Sequence, residues 1–317
     1  MSARLPPEFV DRFTEIHGED EAAALLEAFS APRFVCFRVN RLKAEVEPVI
    51  AELVRLGIAP RSVDWKPDAF LLPAADKRRL TESAPAQRGE IYVQGLSSQL
   101  APWLLDPQPG EEVLDLAAAP GGKTLQMAAM MANRGRIAAV EAVRSRFFRL
   151  RANLEAQGAT CVQTYLADGA KVWRKVPERF DRVMLDAPCS SEARMHLDAP
   201  DSLRYWSPKK LRDMSRKQGR LLYSAVQALR PGGRLLYATC SFAPEENEAV
   251  VDRALRVFGE ALALVPVSVP LPSRPGLREW RGKAFAPALE HAVRVLPGAE
   301  QGGFFLALLE KRASTQG

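Results

Sequence analysis

Two cysteines stand where a nucleophile would be useful. Cys189 ends the stretch Asp186-Ala187-Pro188-Cys189 behind the apolar run FDRVML, and Cys240 follows GRLLYAT in Thr239-Cys240-Ser241. The other two, Cys36 and Cys161, lie in strand-like runs and read as small buried hydrophobes. A thiol attacks only as its thiolate, which nearby cations and helix N-termini favour. Lys123 and a helix expected from Pro244 could supply that field. A further feature is the loop Ala117-Ala118-Ala119-Pro120-Gly121-Gly122-Lys123-Thr124. Ala117 stands where a phosphate-cradling G-x-x-x-x-G-K-[ST] loop needs its first glycine, so a P-loop nucleotidase is disfavoured. Small residues instead let a nucleoside cofactor approach the backbone closely. Glu141 lies roughly 20 residues on, where a strand-terminal carboxylate hydrogen-bonds ribose hydroxyls. With no G-x-G-x-x-G fingerprint for a dinucleotide, the cofactor expected is S-adenosylmethionine. Two thiols, the Asp186 carboxylate and a methyl-donor loop suggest one chemistry. Carbon 5 of a pyrimidine becomes enamine-like once a thiolate adds to carbon 6, and can then attack a sulfonium methyl. Spacing alone leaves open which thiol attacks.

Something must hold these groups at one rim. The runs EEVLDLA (111–117), RIAAVEA (136–142), CVQTYLAD (161–168), FDRVMLDAP (180–188) and GRLLYATCS (233–241) read as strands. Between them lie helices starting near Lys123, running to Gly158 and spanning 208–230, then one over 244–258 with Glu245 and Glu246 in its first turn. GGFFLALLEK (302–311) is a late strand. This alternation predicts an α/β fold, a mostly parallel Rossmann-like sheet with helices on both faces. Ligands of such sheets bind beyond the carboxyl ends of the strands, which here carry Ala117, Glu141, Asp168, Asp186 and Thr239-Cys240-Ser241. One strand-terminal Asp is usually a cap or turn former; five functional strand ends on one rim predict a site.

Ahead of the sheet, residues 1–32 read as helical and FVCFRVN (34–40) as a strand. A helix over 44–56 carries Val46, Val49, Ile50, Leu53 and Leu56 on one face, with Gly57 as its stop. VDWKPDAFLLP gives one or two extended pieces, completing a small α+β unit, and polar 74–90 reads as a linker or surface loop. The 317 residues, 47% hydrophobic and 26% charged, fit a globular protein of about two domains. No run reaches the ~18–20 apolar residues of a membrane span, and MSARLPPEFVDRF lacks a signal-peptide core. The four cysteines form no CxxC pair and His17, His196 and His291 are scattered, so neither a disulfide framework nor a zinc site is expected, and the location expected is cytoplasmic. Net charge is only +6, but residues 204–220 hold seven basic side chains against one acidic. A solvated helix face is the plain reading. A phosphate-facing stripe, with Tyr205 and Trp206 stacking on bases, is the alternative.

The sequence resembles the RsmB/RsmF/Sun family of S-adenosylmethionine-dependent RNA (cytosine-5)-methyltransferases over most of its length. The resemblance is carried by FRVNRLK at 37–43, YVQGLSSQLAPWLL at 92–105, LDLAAAPGGKT at 114–124, FDRVMLDAPCS at 180–190, PGGRLLYATCSFAPEENEAVV at 231–251 and GGFFLALLEK at 302–311. It implies a class I methyltransferase domain over 91–317 behind an N-terminal RNA-binding domain and linker over 1–90. It implies that Cys240 attacks carbon 6 of a cytosine, Cys189 resolves the covalent adduct, Asp186 meets the N3 edge and Lys123 supports them. Residues 117–123 would hold the methionine part of the cofactor, with Glu141 at the ribose, Asp168 at the adenine end, and Arg146 and Asp186 completing the set. RNA contacts are expected from Arg38, Arg204, Tyr205, Trp206, Lys209, Lys210 and Arg216. The expected partner is RNA, ribosomal before transfer, with no metal and no membrane, and a monomer as the default. A catalytically silent RNA-binding or assembly factor is the rival of a different class. Two departures stand out: Ala117 replaces the cysteine that commonly opens the cofactor loop, and Ser191-Glu192-Ala193-Arg194 replaces a Gly-x-Gly stretch beside the target base. The long C-terminal RNA-binding extension of some members is not expected.

Overall fold

The computed structural model describes residues 4–316. The chain begins with two helices, α1 (Pro7–His17) and α2 (Glu19–Leu26). A four-stranded antiparallel sheet follows, of β1 (Phe34–Val39), β2 (Arg61–Val63), β3 (Lys66–Pro73) and β4 (Ile91–Val93) in the order β2-β3-β1-β4. Helix α3 (Val46–Arg55) covers it, burying Val49 and Leu53, while Leu56 is exposed because the helix ends before it. Gly57, at φ +74°, turns the chain out, as expected.

Residues 74–90 are not a linker. They form α4 (Lys77–Thr81) and α5 (Ala84–Gln87), and Leu80 is fully buried in the core of the small sheet, with Ala86 packed against that core. Two short helices with so few inward residues leave no readable periodicity, so their charged outer faces dominate the sequence. The small sheet also runs past residue 90, because Ile91–Val93 pairs with β1.

Helix α6 (Leu96–Leu105) leads into β5 (Glu112–Asp115), α7 (Gly122–Met130), β6 (Arg136–Glu141), α8 (Arg144–Ala156), β7 (Val162–Leu166), β8 (Phe180–Asp186), α9 (Pro208–Ala228), β9 (Leu229–Thr239) and α10 (Glu248–Phe258). The chain closes with β10 (Leu262–Leu264), β11 (Ser273–Pro275), β12 (Glu279–Trp280), β13 (Lys283–Ala284), β14 (Val293–Val295) and β15 (Phe304–Lys311). The main sheet is ordered β11-β14-β15-β9-β8-β5-β6-β7, with β10 beside β15, and β12 pairs only with β13. Strands β5 to β9 are mutually parallel, and β15 joins β9 antiparallel.

The period-2 alternation of strand side chains sorts the core onto two faces. Leu114, Val183, Leu185, Leu235, Tyr237, Phe305 and Ala307 pack under α9 and α10. Val113, Met184, Leu236, Ala238, Leu306 and Leu308 pack under α6, α7 and α8. Both faces of the central strands are therefore covered, while the edge strand β7 keeps Tyr165 and Leu166 exposed. Helices α1 and α2 do not join the small sheet. Phe9, Phe13 and Phe29 form a separate cluster with Met195 and Phe242, on the segments that follow the two cysteines. Helix α10 begins at Glu248 rather than 244, because residues 244–247 form a turn that aims Glu246 and Asn247 inward, both fully buried.

Candidate active site

Cys189 and Cys240 come together because β8 and β9 are hydrogen-bonded neighbours in parallel, with Asp186 opposite Ala238. Their sulfurs lie 3.3 Å apart. The pair is unequal. The Cys189 S–H can donate to the Cys240 sulfur, and the Arg194 guanidinium faces it, so Cys240 is pulled down to about 6 against the cost of its burial. Cys189 is pushed well above the usual thiol value by its hydrogen bond to Cys240, and burial adds to the shift. The asymmetry favours thiolate character at Cys240 over Cys189, a choice the spacing had left open. The charge on Cys240, with that of Asp186 behind it, raises the pKa of Arg194 in turn, against the effect of burial.

Asp186 sits beside them. Its Oδ2 accepts from Lys123 Nζ at 2.6 Å, and the same ammonium donates to Ser98 Oγ at 2.7 Å. Lys123 is buried, with its charge over the Phe304 ring, so this ion pair fixes the carboxylate between the cofactor loop and the thiols.

The thiol loops are braced by two buried glutamates. Glu192 Oε2 accepts from Ser241 Oγ (2.9 Å), Phe242 N (2.7 Å) and Ala243 N (3.0 Å), while Oε1 accepts from Trp206 Nε1 at 2.7 Å. Glu246 accepts from Ser190 N and Ser190 Oγ, and burial pushes its pKa up to about 7. Asn247 ties Thr239 to Ser241 through its side chain. None of these three was read from the sequence as part of the site. The charge of a mid-loop Glu usually signals solvent, and only the fold shows the converging N–H groups; PEENE directly behind a strand-end cysteine was the one available hint.

The loop 117–122 curls over the end of β5. Gly121 adopts φ +112°, and a Cβ on Gly122 would come within 3.0 Å of the Tyr92 ring, so both glycines are required. Arg146 Nη2 donates to the Ala119 carbonyl at 2.6 Å and Asn153 to that of Pro120 at 2.7 Å. Arg146 therefore shapes the loop as well as lining it. Asp115, unremarked in the sequence, accepts from Thr124 Oγ1 at 2.6 Å, and burial pushes its pKa up to about 6. Glu141 is buried and uses Oε1 on the Val143 N–H, leaving Oε2 without a hydrogen-bond donor. A buried acceptor with an unfilled place fits a ribose hydroxyl, so the residues present suit a nucleoside cofactor. Asp168 is exposed at the rim and holds Ala170 N with Oδ1.

Two residues expected to touch RNA are engaged within the fold instead of standing free at the surface. Arg38 is only 1% exposed: it bonds Gln94, approaches the Gly122 carbonyl and packs on Tyr92, locking the small sheet to the cofactor loop. Its place in the alternating strand β1 puts it inward, where Gln94 accepts its N–H. Trp206 packs against Phe9 and gives its N–H to Glu192, so its ring supports the N-terminal helices. Lys210 spends its ammonium on the Ser190 carbonyl at 3.3 Å. Arg204, Tyr205, Lys209 and Arg216 are exposed.

The sequence profile of the family described as 16S rRNA methyltransferase RsmB/F matches residues 102–310, and that of the N-terminal domain of 16S rRNA methyltransferase RsmF matches residues 5–95. The chain belongs to the RsmB/F methyltransferase family. Among RsmB/F relatives, the ribosomal RNA small subunit methyltransferase F of Cronobacter sakazakii is 35% identical over 99% of this chain and 65% of its own length. The chain thus spans less than two thirds of that relative. The tRNA (cytosine(49)-C(5))-methyltransferase of Pyrococcus abyssi is 34% identical over 97% of both chains. The crystal structure of a methyltransferase homologue from Pyrococcus horikoshii superposes with a TM-score of 0.80 at 31% identity, covering 97% of this chain and 100% of that one. Among the described residues no helix is long and apolar enough to cross a membrane.

Proposed function

We propose that this chain methylates carbon 5 of a cytosine in ribosomal RNA through a covalent adduct on Cys240. The observation that carries the reading is the unequal thiol pair, 3.3 Å apart, beside the Asp186–Lys123 ion pair. Residues 117–122, Glu141, Arg146 and Asp168 would hold S-adenosylmethionine, which supplies an electrophilic sulfonium methyl. Ribosomal RNA is preferred to transfer RNA as the substrate because both matching family descriptions are of 16S rRNA methyltransferases, against the tRNA enzyme among the relatives.

The Cys240 thiolate adds to carbon 6, forming the S–C6 bond, and the displaced π electrons make carbon 5 nucleophilic. Charge gathering at the N3 edge is neutralised by a proton passed from the Lys123 ammonium through the Asp186 carboxylate, and the proton returns by the same route when the ring regains its aromaticity. Once carbon 5 carries the new methyl, its proton must leave so that the C5=C6 bond reforms and the S–C6 bond breaks. Cys189 stands beside the sulfur that must depart. The charge on Cys240 that keeps Cys189 protonated vanishes when Cys240 is bonded to carbon, so Cys189 can give its own proton to water and then, as the thiolate, take the carbon-5 proton. The target base must leave its stack to reach both sulfurs.

The test is methyl transfer from labelled S-adenosylmethionine to total RNA from cells lacking this gene, for wild type, Cys240→Ala and Cys189→Ala. Expected are labelled ribosomal RNA, a loss of roughly a thousandfold or more with Cys240→Ala, and a protein–RNA adduct surviving denaturation with Cys189→Ala. Label in small RNAs alone would move the substrate to transfer RNA. Adducts with Cys240→Ala instead would exchange the thiol roles, and no label at all would sink the reading.

A further inference from the structure

A second opening adjoins the thiol site. A cavity of about 310 Å³ lies between residues 28–36 of the N-terminal region, the turn Gly95-Leu96, loop 193–195 and the segment 297–302. Nothing in the methyl-transfer chemistry uses it. Its volume is at the lower end of the roughly 300–1,000 Å³ of small-molecule sites, room for one nucleotide.

Its lining has the chemistry of a nucleotide site. Phe34 is 37% exposed, a large aromatic available for stacking. Arg33 uses only Nη2, on the carbonyls of Arg194 and Met195 at 3.2 and 2.9 Å, and its remaining nitrogens have no protein partner among the described residues. The carboxylate at the mouth, Glu300, is already neutralised by Arg61, whose guanidinium also lies over the Phe34 ring. The cavity therefore presents an aromatic face and a guanidinium with free donors in the field of Asp198, with Gln301 and backbone groups for a base edge.

Its position supplies the rest. Arg194 lines this cavity and also faces the Cys240 thiolate. The neighbouring Ala193 N–H donates to the Cys240 carbonyl at 3.0 Å. The cavity and the thiols thus share one loop and one arginine, so a strand that delivers an extruded base to the sulfurs passes beside the cavity.

We propose that this cavity receives a nucleotide next to the target cytosine, its base stacked on Phe34 and its phosphate on Arg33. The inference rests on the RNA methyltransferase reading above and adds to it a specificity subsite built jointly by the N-terminal region and the catalytic domain.

The probe is a short RNA cut from around the cytosine that the wild type methylates in total RNA, made in two further forms with an abasic position on one side or the other. Ala299→Trp fills the cavity from its exposed rim. Phe34→Ala removes the stacking face and serves as the independent variant. Both should raise KM for the RNA about tenfold while KM for S-adenosylmethionine stays within twofold and the unfolding midpoint is unchanged. One abasic RNA should cost the wild type about tenfold and the Ala299→Trp variant less than twofold, because the subsite is already lost. RNA kinetics unchanged in both variants, or abasic and Ala299→Trp effects that simply multiply, would overturn the subsite while leaving methylation standing. A wild type that methylates no RNA would overturn both readings.

Discussion

Around the cofactor loop the buried carboxylates are under-used: Glu141 keeps Oε2 and Asp115 keeps Oδ1 without a donor. Around the thiols the opposite holds, since Glu192 alone collects four donors, three from the loop 241–243 and one from Trp206. The two regions border one site, yet they answer to different demands. A rim that must bind a ligand keeps acceptors in reserve and accepts the cost of leaving them unpaired. A rim that must hold two sulfurs 3.3 Å apart cannot leave its loops free, because neither thiol lies inside a strand. The comparison assigns stability to one rim and affinity to the other, and substitutions should separate the two.

The largest effect is expected at Glu192. Glu192→Ala would strand Trp206 Nε1, Ser241 Oγ and the Phe242 N–H, each worth ~1–3 kcal/mol when left buried without an acceptor, while the Ala243 N–H keeps Ser241 Oγ at 3.1 Å. Partial access of water should reduce the sum to about 3 kcal/mol, read as a lower urea midpoint at unchanged slope. Methyl transfer should fall with it. A midpoint within 0.5 kcal/mol of wild type, on the order of an ordinary surface change, would show that the bracing is not structural.

On the cofactor side the pattern should invert. Glu141→Gln keeps the bond to Val143 but removes the reserved acceptor, so S-adenosylmethionine should bind about 10–100-fold more weakly, the worth of a hydrogen bond to a charged group. Stability should change little, because the variant gives up the 3.7 Å ion pair of Oε2 with Arg146 along with the cost of burying the charge. Calorimetric titration and urea unfolding on one preparation decide it; a loss of stability without a loss of affinity would contradict the division.

Arg194 belongs to neither bracing scheme and acts through charge. With Cys240 held at about 6, kcat/KM should rise with pH through about 6 and level off above it, since only the thiolate attacks. The Arg194 cation favours that anion, so Arg194→Met should move the inflection upward by about one unit. The activity gap should then be widest on the acidic side and close at high pH, with Arg194→Lys largely restoring the profile. An inflection unmoved in Arg194→Met would place the cause in Cys189 alone.

The same contrast explains what the sequence made legible. The strand runs end on one rim because alternation and length betray buried strands, so Ala117, Glu141, Asp168, Asp186, Cys189 and Cys240 could be named together before any coordinates. The braces could not. Glu192 and Glu246 meet their partners across dozens of residues, and a buried Glu has the same letter as a solvated one. Arg38 and Trp206 failed for the complementary reason: basic and aromatic residues beside an expected RNA surface look like contacts until the fold turns them inward. The family resemblance marked 191–194 as a departure, but only the tertiary structure shows that this stretch brings Arg194 to the thiolate.

The smallest effects should fall on the exposed basic face, where the comparison can be sharpened by charge alone. Lys209 and Arg216 stand exposed on α9. If they meet phosphates, Lys209→Ala and Arg216→Ala should each flatten the slope of log K against log salt by roughly 0.9 and weaken RNA binding only a few fold at physiological salt. Arg38→Met is the matching control. Arg38 is sealed between the small sheet and the cofactor loop, so its loss should lower the unfolding midpoint and leave the salt slope unchanged. A slope that flattened in Arg38→Met and not in the α9 variants would move the RNA track off this helix and onto the small sheet.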